Sequence, residues 1–184
     1  MTRTEIQMLQ DAMIWASSYG SLKDGGWGRL ASEANRNWRR ENNLRQSETF
    51  TEAELTLLFQ QSLRAREAVG WTMAYEPHTG VWMGYPARYV QPGEHRTPSP
   101  GTRATDFRGP DDAVSITALR NGMDMAGIRG LMNMFAGMDG IAKINYRLGR
   151  EHRQVVSGDL HNGSTIYVRF DRFGAEWRGF LLKV

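Results

Sequence analysis

Apolar residues recur at helical spacing in the first third of the chain and alternate in the last third, and this change of period divides the sequence. Thr2 and Glu5 stand as a capping box, in which a hydroxyl and a carboxylate satisfy amides at a helix start, and Ile6, Leu9 and Met13 follow at helical spacing. Leu30, Ala34 and Trp38 recur every four residues and line one face of a second predicted helix. Its other face reads Arg29, Glu33, Arg36, Arg39 and Arg40. Thr51 and Glu54 repeat the capping-box pattern, with Phe50 and Leu55 placed as a hydrophobic staple. Leu55, Leu58, Phe59 and Leu63 then supply the stripe of a third helix that runs to about Ala68, before Gly70 stops it.

After Trp71 the pattern changes. Val81 to Pro86 reads as a strand entered through a turn at Pro77-His78-Thr79-Gly80. Gln91 to Asp112 holds Pro92, Pro98, Pro100 and Pro110 and reads as an irregular proline-rich connection, with one short strand around Arg103 to Phe107. Val114 to Leu119 alternates like a half-buried strand, and Ile128, Leu131, Met132 and Phe135 mark a helix face. The dense methionines from Met123 to Met138 read as filler beneath a sheet. Val155-Val156, a type I′ turn at Asn162-Gly163, and alternating Ile166, Val168 and Phe170 predict a hairpin; Asp171 to Gly174 turns into a last strand over Trp177–Val184. The expectation is an α+β protein, with a three-helix domain over 1–70 and an antiparallel sheet covered by a helix over 71–184.

At 184 residues there is enough chain to bury a core without staples. The chain has no cysteine, which excludes disulfides, thiol catalysis and thiolate metal sites. A formal charge of +3 is too small an excess for a strong nucleic-acid footprint, and no nucleic-acid motif accompanies it, so no nucleic-acid partner is expected. No run approaches the ~18 apolar residues of a membrane span. The first residues lack the apolar core of a leader, which leaves two readings: a cytoplasmic protein, or a periplasmic or envelope protein from which a leader is trimmed.

Catalytic patterns do not emerge. His78, His95, His152 and His161 form no His-Glu-x-x-His array and read as isolated surface residues, although His152 and His161 lie on or beside facing strands and could approach one another. Ser157 lacks the preceding glycine of a nucleophile elbow, and Gly25-Gly26-Trp27-Gly28 lacks the Lys-Ser/Thr of a phosphate loop. Asp159 and Asp171 belong to opposite ends of one hairpin arm, too far apart for a carboxylate pair. No metal, cofactor or catalytic residue is expected. Arg36, Arg39, Arg40 and Arg45 read as a solvated helix face. Trp82 and Tyr85 fall on opposite sides of their strand, so one is exposed or covered, and the exposed one is an anchor for a protein partner.

One stretch points to a ligand. Tyr19, Asp24-Gly25 and Trp27-Gly28 stand between the first two predicted helices, followed by Trp38 and Leu44. In order and spacing these residues resemble the peptidoglycan-binding-like three-helix family, with Trp38 where that family has Phe, over about residues 4–65. Ala31, Arg39 and Asn43 depart from its usual Thr, Gln and Gly. The resemblance implies a non-catalytic envelope protein that touches a glycan or stem peptide, with Tyr19 and Trp27 rimming a groove, Asp24 shaping its turn, and Arg29 and Arg36 taking carboxylates. A second expectation keeps the helical fold without wall binding, as a protein-interaction or inhibitor module. From Trp71 onward, Val155-Val156-Ser157-Gly158, Tyr167-Val168-Arg169 and Arg178-Gly179-Phe180 resemble the region that follows such domains in some proteobacterial envelope proteins, and the order of elements is similar to PsbP-like sandwiches.

Overall fold

The computed structural model describes residues 1–184 except Ser18, Ser21, Leu22, Asp111 and Asp112. Parts of the turn-rich stretch after Ser17 and the end of the expected 91–112 connection therefore lie outside the described residues. The chain divides into two compact units, Met1–Gly70 and Trp71–Val184. The first contains helices α1 (Arg3–Ala16), α2 (Arg29–Glu41) and α3 (Glu52–Val69). Both capping boxes form, and Gly70 ends α3 in the left-handed conformation open to a residue without a Cβ. Leu9, Ala12 and Met13 of α1 meet Ala31, Ala34 and Trp38 of α2 and Leu58 of α3, with Tyr19 joining them from the α1–α2 connection.

The buried face of α2 is rotated from the expected one. It runs through Ala31, Ala34, Asn35, Trp38 and Arg39, whereas Leu30 is 48% exposed. Arg39 does not belong to a solvated face; its side chain is enclosed. The surrounding acceptors explain why. Its Nε donates to Asn35 Oδ1 (3.0 Å), and Nη1 donates to the Arg45 carbonyl (2.9 Å) and Glu54 Oε1 (2.7 Å). Nη2 donates to the Thr49 carbonyl, and the guanidinium lies 5.0 Å from the centre of the Phe50 ring. A buried charge is tolerated when its donors are all met in this way. Leu63, placed on the α3 stripe by its spacing, is exposed instead.

The second unit opens with a two-stranded hairpin, β1 (Trp71–Glu76) and β2 (Val81–Pro86). It continues through β3 (Gln91–Ser99), β4 (Thr102–Arg108), β5 (Ser115–Asn121), α4 (Met125–Ala136), β6 (Ile141–Arg150), β7 (Arg153–Leu160), β8 (Thr165–Phe173) and β9 (Glu176–Lys183). These seven strands form one antiparallel sheet in the order β3-β4-β5-β9-β8-β7-β6. Most of the expected irregular connection at 91–112 is therefore the hairpin β3–β4. Its outer strand hides from a periodicity reading because β3 is exposed along its whole length and carries Pro92 and Pro98, which an edge strand accommodates. The opposite edge, β6, is nearly as exposed and equally silent in the pattern.

Alternation along the central strands sorts their side chains onto two faces. Phe107, Ile116, Ala118, Phe180 and Leu182 meet Val81, Met83 and Tyr85 of the β1–β2 hairpin. Leu119, Val156, Val168, Phe170, Trp177 and Leu181 turn the other way and meet Ile128 and Met132 of α4. The methionines of this region are not all core filler: Met132 is buried, but Met123, Met134 and Met138 are exposed. The Asn162-Gly163 hairpin also closes differently from a type I′ turn. Among the described residues Asn43 is the single non-glycine with positive φ, so only Gly163 (φ 85°) is left-handed here. The Gly163 amide donates to the Leu160 carbonyl (3.0 Å) and Asn162 Oδ1 accepts from the Ser164 amide (3.1 Å), giving a three-residue loop with a glycine bulge.

Candidate functional site

The connection between α1 and α2 is held from inside by one side chain. Gln10, fully buried on α1, shares the two protons of Nε2 among three acceptors, Tyr19 Oη (3.1 Å), Asp24 Oδ1 (3.0 Å) and the Gly26 carbonyl (2.9 Å). Its Oε1 accepts from the Gly25 amide (2.9 Å). Asp24 also accepts from the Gly26 amide (2.9 Å), and these bonds, led by that from Gln10, hold its carboxyl below the usual carboxylate range. Gly25 sits at φ 79°, with the Arg3 carbonyl 2.9 Å from where a Cβ would project. Tyr19 is 6% exposed and belongs to the core, so it does not rim a groove. Tyr19 and Asp24 thus shape the loop. The sequence held a signal for Gln10: it stands at a core position among Ile6, Leu9 and Met13 while being polar.

The other expected ligand residues of this unit lie nearer solvent. Trp27 packs edge-on against Phe50 (6.1 Å between ring centres) and donates from Nε1 to Glu48 Oε2 (2.9 Å). That donor bond is the main cause holding the Glu48 carboxyl low. Arg36 Nη1 lies 3.7 Å from Glu48 Oε1, so Trp27 and Arg36 converge on one carboxylate. Arg29 does not join them; it pairs with Glu33 on its own helix (3.2 Å). A separate apolar groove of about 410 Å³ is lined by Met8, Leu9, Phe50, Leu55 and Phe59, with Met1, Glu5 and Thr49 at its margin.

The largest display of aromatic surface is on the β1–β2 hairpin. Its register sets Tyr75 opposite Trp82, Met73 opposite Gly84 and Trp71 opposite Pro86. These residues alternate with the inward Val81, Met83 and Tyr85, so they share the outer face. Trp82 is 70% exposed, Met73 61% and Tyr75 50%. The Tyr75 and Trp82 rings lie 5.6 Å apart, and Trp71 crosses Gly84 so closely that a Cβ there would fall 2.1 Å from its ring. The result is an exposed strip with no charged side chain among these six residues, its Tyr75 and Trp82 rings tilted by 44° to one another. Of the expected partner anchors, Trp82 is presented, whereas Tyr85 is buried against Phe107 (5.1 Å). The strip escaped the sequence reading because β1 did, although Trp71, Met73 and Tyr75 carry the period-two signal.

Behind the hairpin turn, polar groups gather that the sequence scatters. Glu76 is 5% exposed and accepts from the amides of His78 (3.0 Å) and Thr79 (2.7 Å). Burial pushes its carboxyl up, but these bonds and that of the Thr79 hydroxyl outweigh it and hold the group low. The His78 and His95 rings lie 5.0 Å apart, and His95 Nδ1 is 2.9 Å from Thr105 Oγ1 and 3.9 Å from Glu76. His152 and His161, by contrast, flank opposite ends of β7, separated by about 30 Å of extended chain. Asp106, nearly enclosed, takes two bonds from Arg96 (2.8 Å each) and one from Thr117 (2.8 Å); against the upward push of burial these hold it ionised. Among the described residues no group of three or more His, Asp and Glu could hold a metal ion, and no helix is long and apolar enough to cross a membrane.

Compared with protein-family models, curated proteins and solved structures, the chain matches none.

Proposed function

We propose that this protein is a non-catalytic binding protein of the bacterial cell envelope that contacts peptidoglycan, and that the outer face of the β1–β2 hairpin is its principal saccharide surface. The observation that carries this reading is the exposed, uncharged strip of Trp71, Met73, Tyr75 and Trp82, with Trp71 and Met73 set against Gly84. Aromatic faces of this kind suit the CH faces of sugar rings, and the absence of charge on the strip suits a neutral glycan. The resemblance of about residues 4–65 to peptidoglycan-binding-like domains supports the same reading. So does Asn43, which takes φ 56° where that family has glycine, a conformation asparagine tolerates better than most residues. In the helical unit Trp27 and Arg36 are the contact residues, while Tyr19 and Asp24 keep their structural task.

Co-sedimentation with purified sacculi tests the proposal. Wild type is expected in the pellet, and Tyr75→Ala/Trp82→Ala is expected to lose binding at least tenfold while melting like wild type. Equal recovery of the two proteins overturns it. The use of Tyr19 and Asp24 inside the fold favours a second reading, a protein-interaction module that no longer binds wall. In that case wild type stays in the supernatant, and the same double variant loses a protein partner captured from the native host.

A further inference from the structure

On the hairpin-bearing face of the seven-stranded sheet, one rung crosses six strands and is almost entirely arginine. Arg103 of β4 stands opposite Arg120 of β5, which stands opposite Arg178 of β9. Arg178 faces Asp171 of β8, Asp171 faces Arg153 of β7, and Arg153 faces Arg150 of β6. Directly opposed residues share a face, so these six side chains form a line about 24 Å long at the ordinary strand spacing. Arg169, two residues before Asp171 on β8, stands beside the line.

This row carries more positive charge than the fold needs. Asp171 is shared by Arg153 and Arg169, and Glu176 by Arg120 and Arg178. Arg103 and Arg150, at the two ends, are exposed and have no carboxylate partner among the described residues. Like charges directly opposite one another weaken a sheet, and the row contains such pairs at Arg103–Arg120, Arg120–Arg178 and Arg150–Arg153. Arg153 reaches Asp171 through Nε, so its terminal nitrogens, which take an oxyanion side-on, are not spent on it. Arg178, by contrast, spends its own on the Gly80 carbonyl (3.2 Å) and Glu176 (3.3 Å), and Arg169 also bonds Tyr167. Among the described residues the free contacts of the row are those of Arg103, Arg153 and Arg150.

We propose that this arginine row binds an acidic glycan, a sugar chain carrying carboxylate or phosphate groups, laid across the strands. The shape favours a linear ligand, since the charges form a single file. A nucleic-acid strand fits less well, because the aromatic rings beside the row do not line up as a file of stacking platforms. Tyr167 stacks on Phe180 (5.8 Å, 29° between planes), and Arg178 lies against one side of Phe173 (5.3 Å), whose ring stays exposed, so a run of bases finds a single open ring there. A peptide strand finds no main-chain partner on a sheet face, because β4, β5, β9, β8 and β7 are each paired on both sides. The inference stands on the sheet alone and does not depend on the aromatic strip.

Fluorescence anisotropy with labelled polygalacturonate, poly(glycerol phosphate), neutral dextran and a dT20 oligonucleotide tests it. One or both of the acidic polymers should bind, which identifies the oxyanion as carboxylate or phosphate, and dextran should not. Raising salt from 50 to 200 mM should weaken binding about tenfold or more. Arg103→Gln/Arg150→Gln should weaken it at least fivefold at 50 mM salt and lower the salt slope by about one per arginine, with an unchanged melting curve. Arg29→Gln/Arg40→Gln, an equal loss of charge elsewhere, should leave it unchanged. Tighter binding of dT20 than of either acidic polymer, equal loss in the two double variants, or no binding above dextran each overturns the proposal. Sacculus recovery by the Tyr75→Ala/Trp82→Ala variant reports on the hairpin separately.

Discussion

Replacing Arg39 by methionine should destabilise the helical unit selectively. Methionine fills much of the same volume but removes every donor. Asn35 Oδ1 and the carbonyls of Arg45 and Thr49 then lose their partner in a site where Arg39 was 1% exposed. Asn35 is buried, and leaving its acceptor unmet costs about 1–3 kcal/mol. Arg45 and Thr49 are exposed residues whose carbonyls water can reach, so the loss is about 1–3 kcal/mol. Glu54 is discounted from that sum because its side chain keeps some exposure and still accepts from the Thr51 amide (2.7 Å). A unit of this size has roughly 4–10 kcal/mol to lose. The expected fall in its melting midpoint is therefore about 4–24 °C, at roughly 4–8 °C per kcal/mol. Calorimetry with far-UV dichroism would follow it, since α1, α2 and α3 hold most of the helical residues. The transition of the α+β unit should stay in place. Removing the partner charge as well, in Arg39→Met/Glu54→Met, should cost less than the two single losses added together. A shift below about 3 °C, or equal shifts of both transitions, would refute the assignment of Arg39 as the polar anchor of the helical core.

Gln10→Leu should release the α1–α2 connection while keeping the helices. Amide exchange at Gly25 and Gly26 is expected to quicken at least tenfold, with far-UV dichroism nearly unchanged, and unaltered protection would show that Gln10 does not hold the loop. Gly179→Ala should destabilise the α+β unit by about 2–3 kcal/mol, because a Cβ there falls 1.8 Å from the Arg169 carbonyl oxygen and the paired strands must shift; a urea midpoint equal to wild type counts against this. Glu76 and Asp106 have folded-state pKa values held below their ordinary range. Their contribution is fully present above the unfolded carboxylate range near pH 4 and is lost as pH falls through the lower folded values. Urea midpoints should therefore drop between about pH 5 and 2, and Asp106→Asn should be less stable at pH 7 yet flatter across that window. A parallel acid limb in the variant would exclude Asp106 as a source of it.

The elements that depend on local chemistry were legible in the chain. Both capping boxes, the Gly70 stop, strand Val81–Pro86 and the α4 stripe rest on neighbours within one or two turns, and each formed where its pattern stood. The exposed edge strands β3 and β6 were not legible, because alternation records burial and an exposed strand has none to record. Long-range proximity decided the remaining questions. Arg39 reads as solvent-facing until Glu54 and the Arg45 and Thr49 carbonyls close over it. His95 meets His78 rather than leaving His152 to meet His161. The arginine row assembles only when register sets single residues from six strands side by side. By itself the sequence determined the helices, the central strands and the α+β class, since these follow from periodicity and caps. Which polar side chains face inward, and which charges stand together, was decided by the tertiary structure alone, because such groupings arise from contacts between residues far apart along the chain.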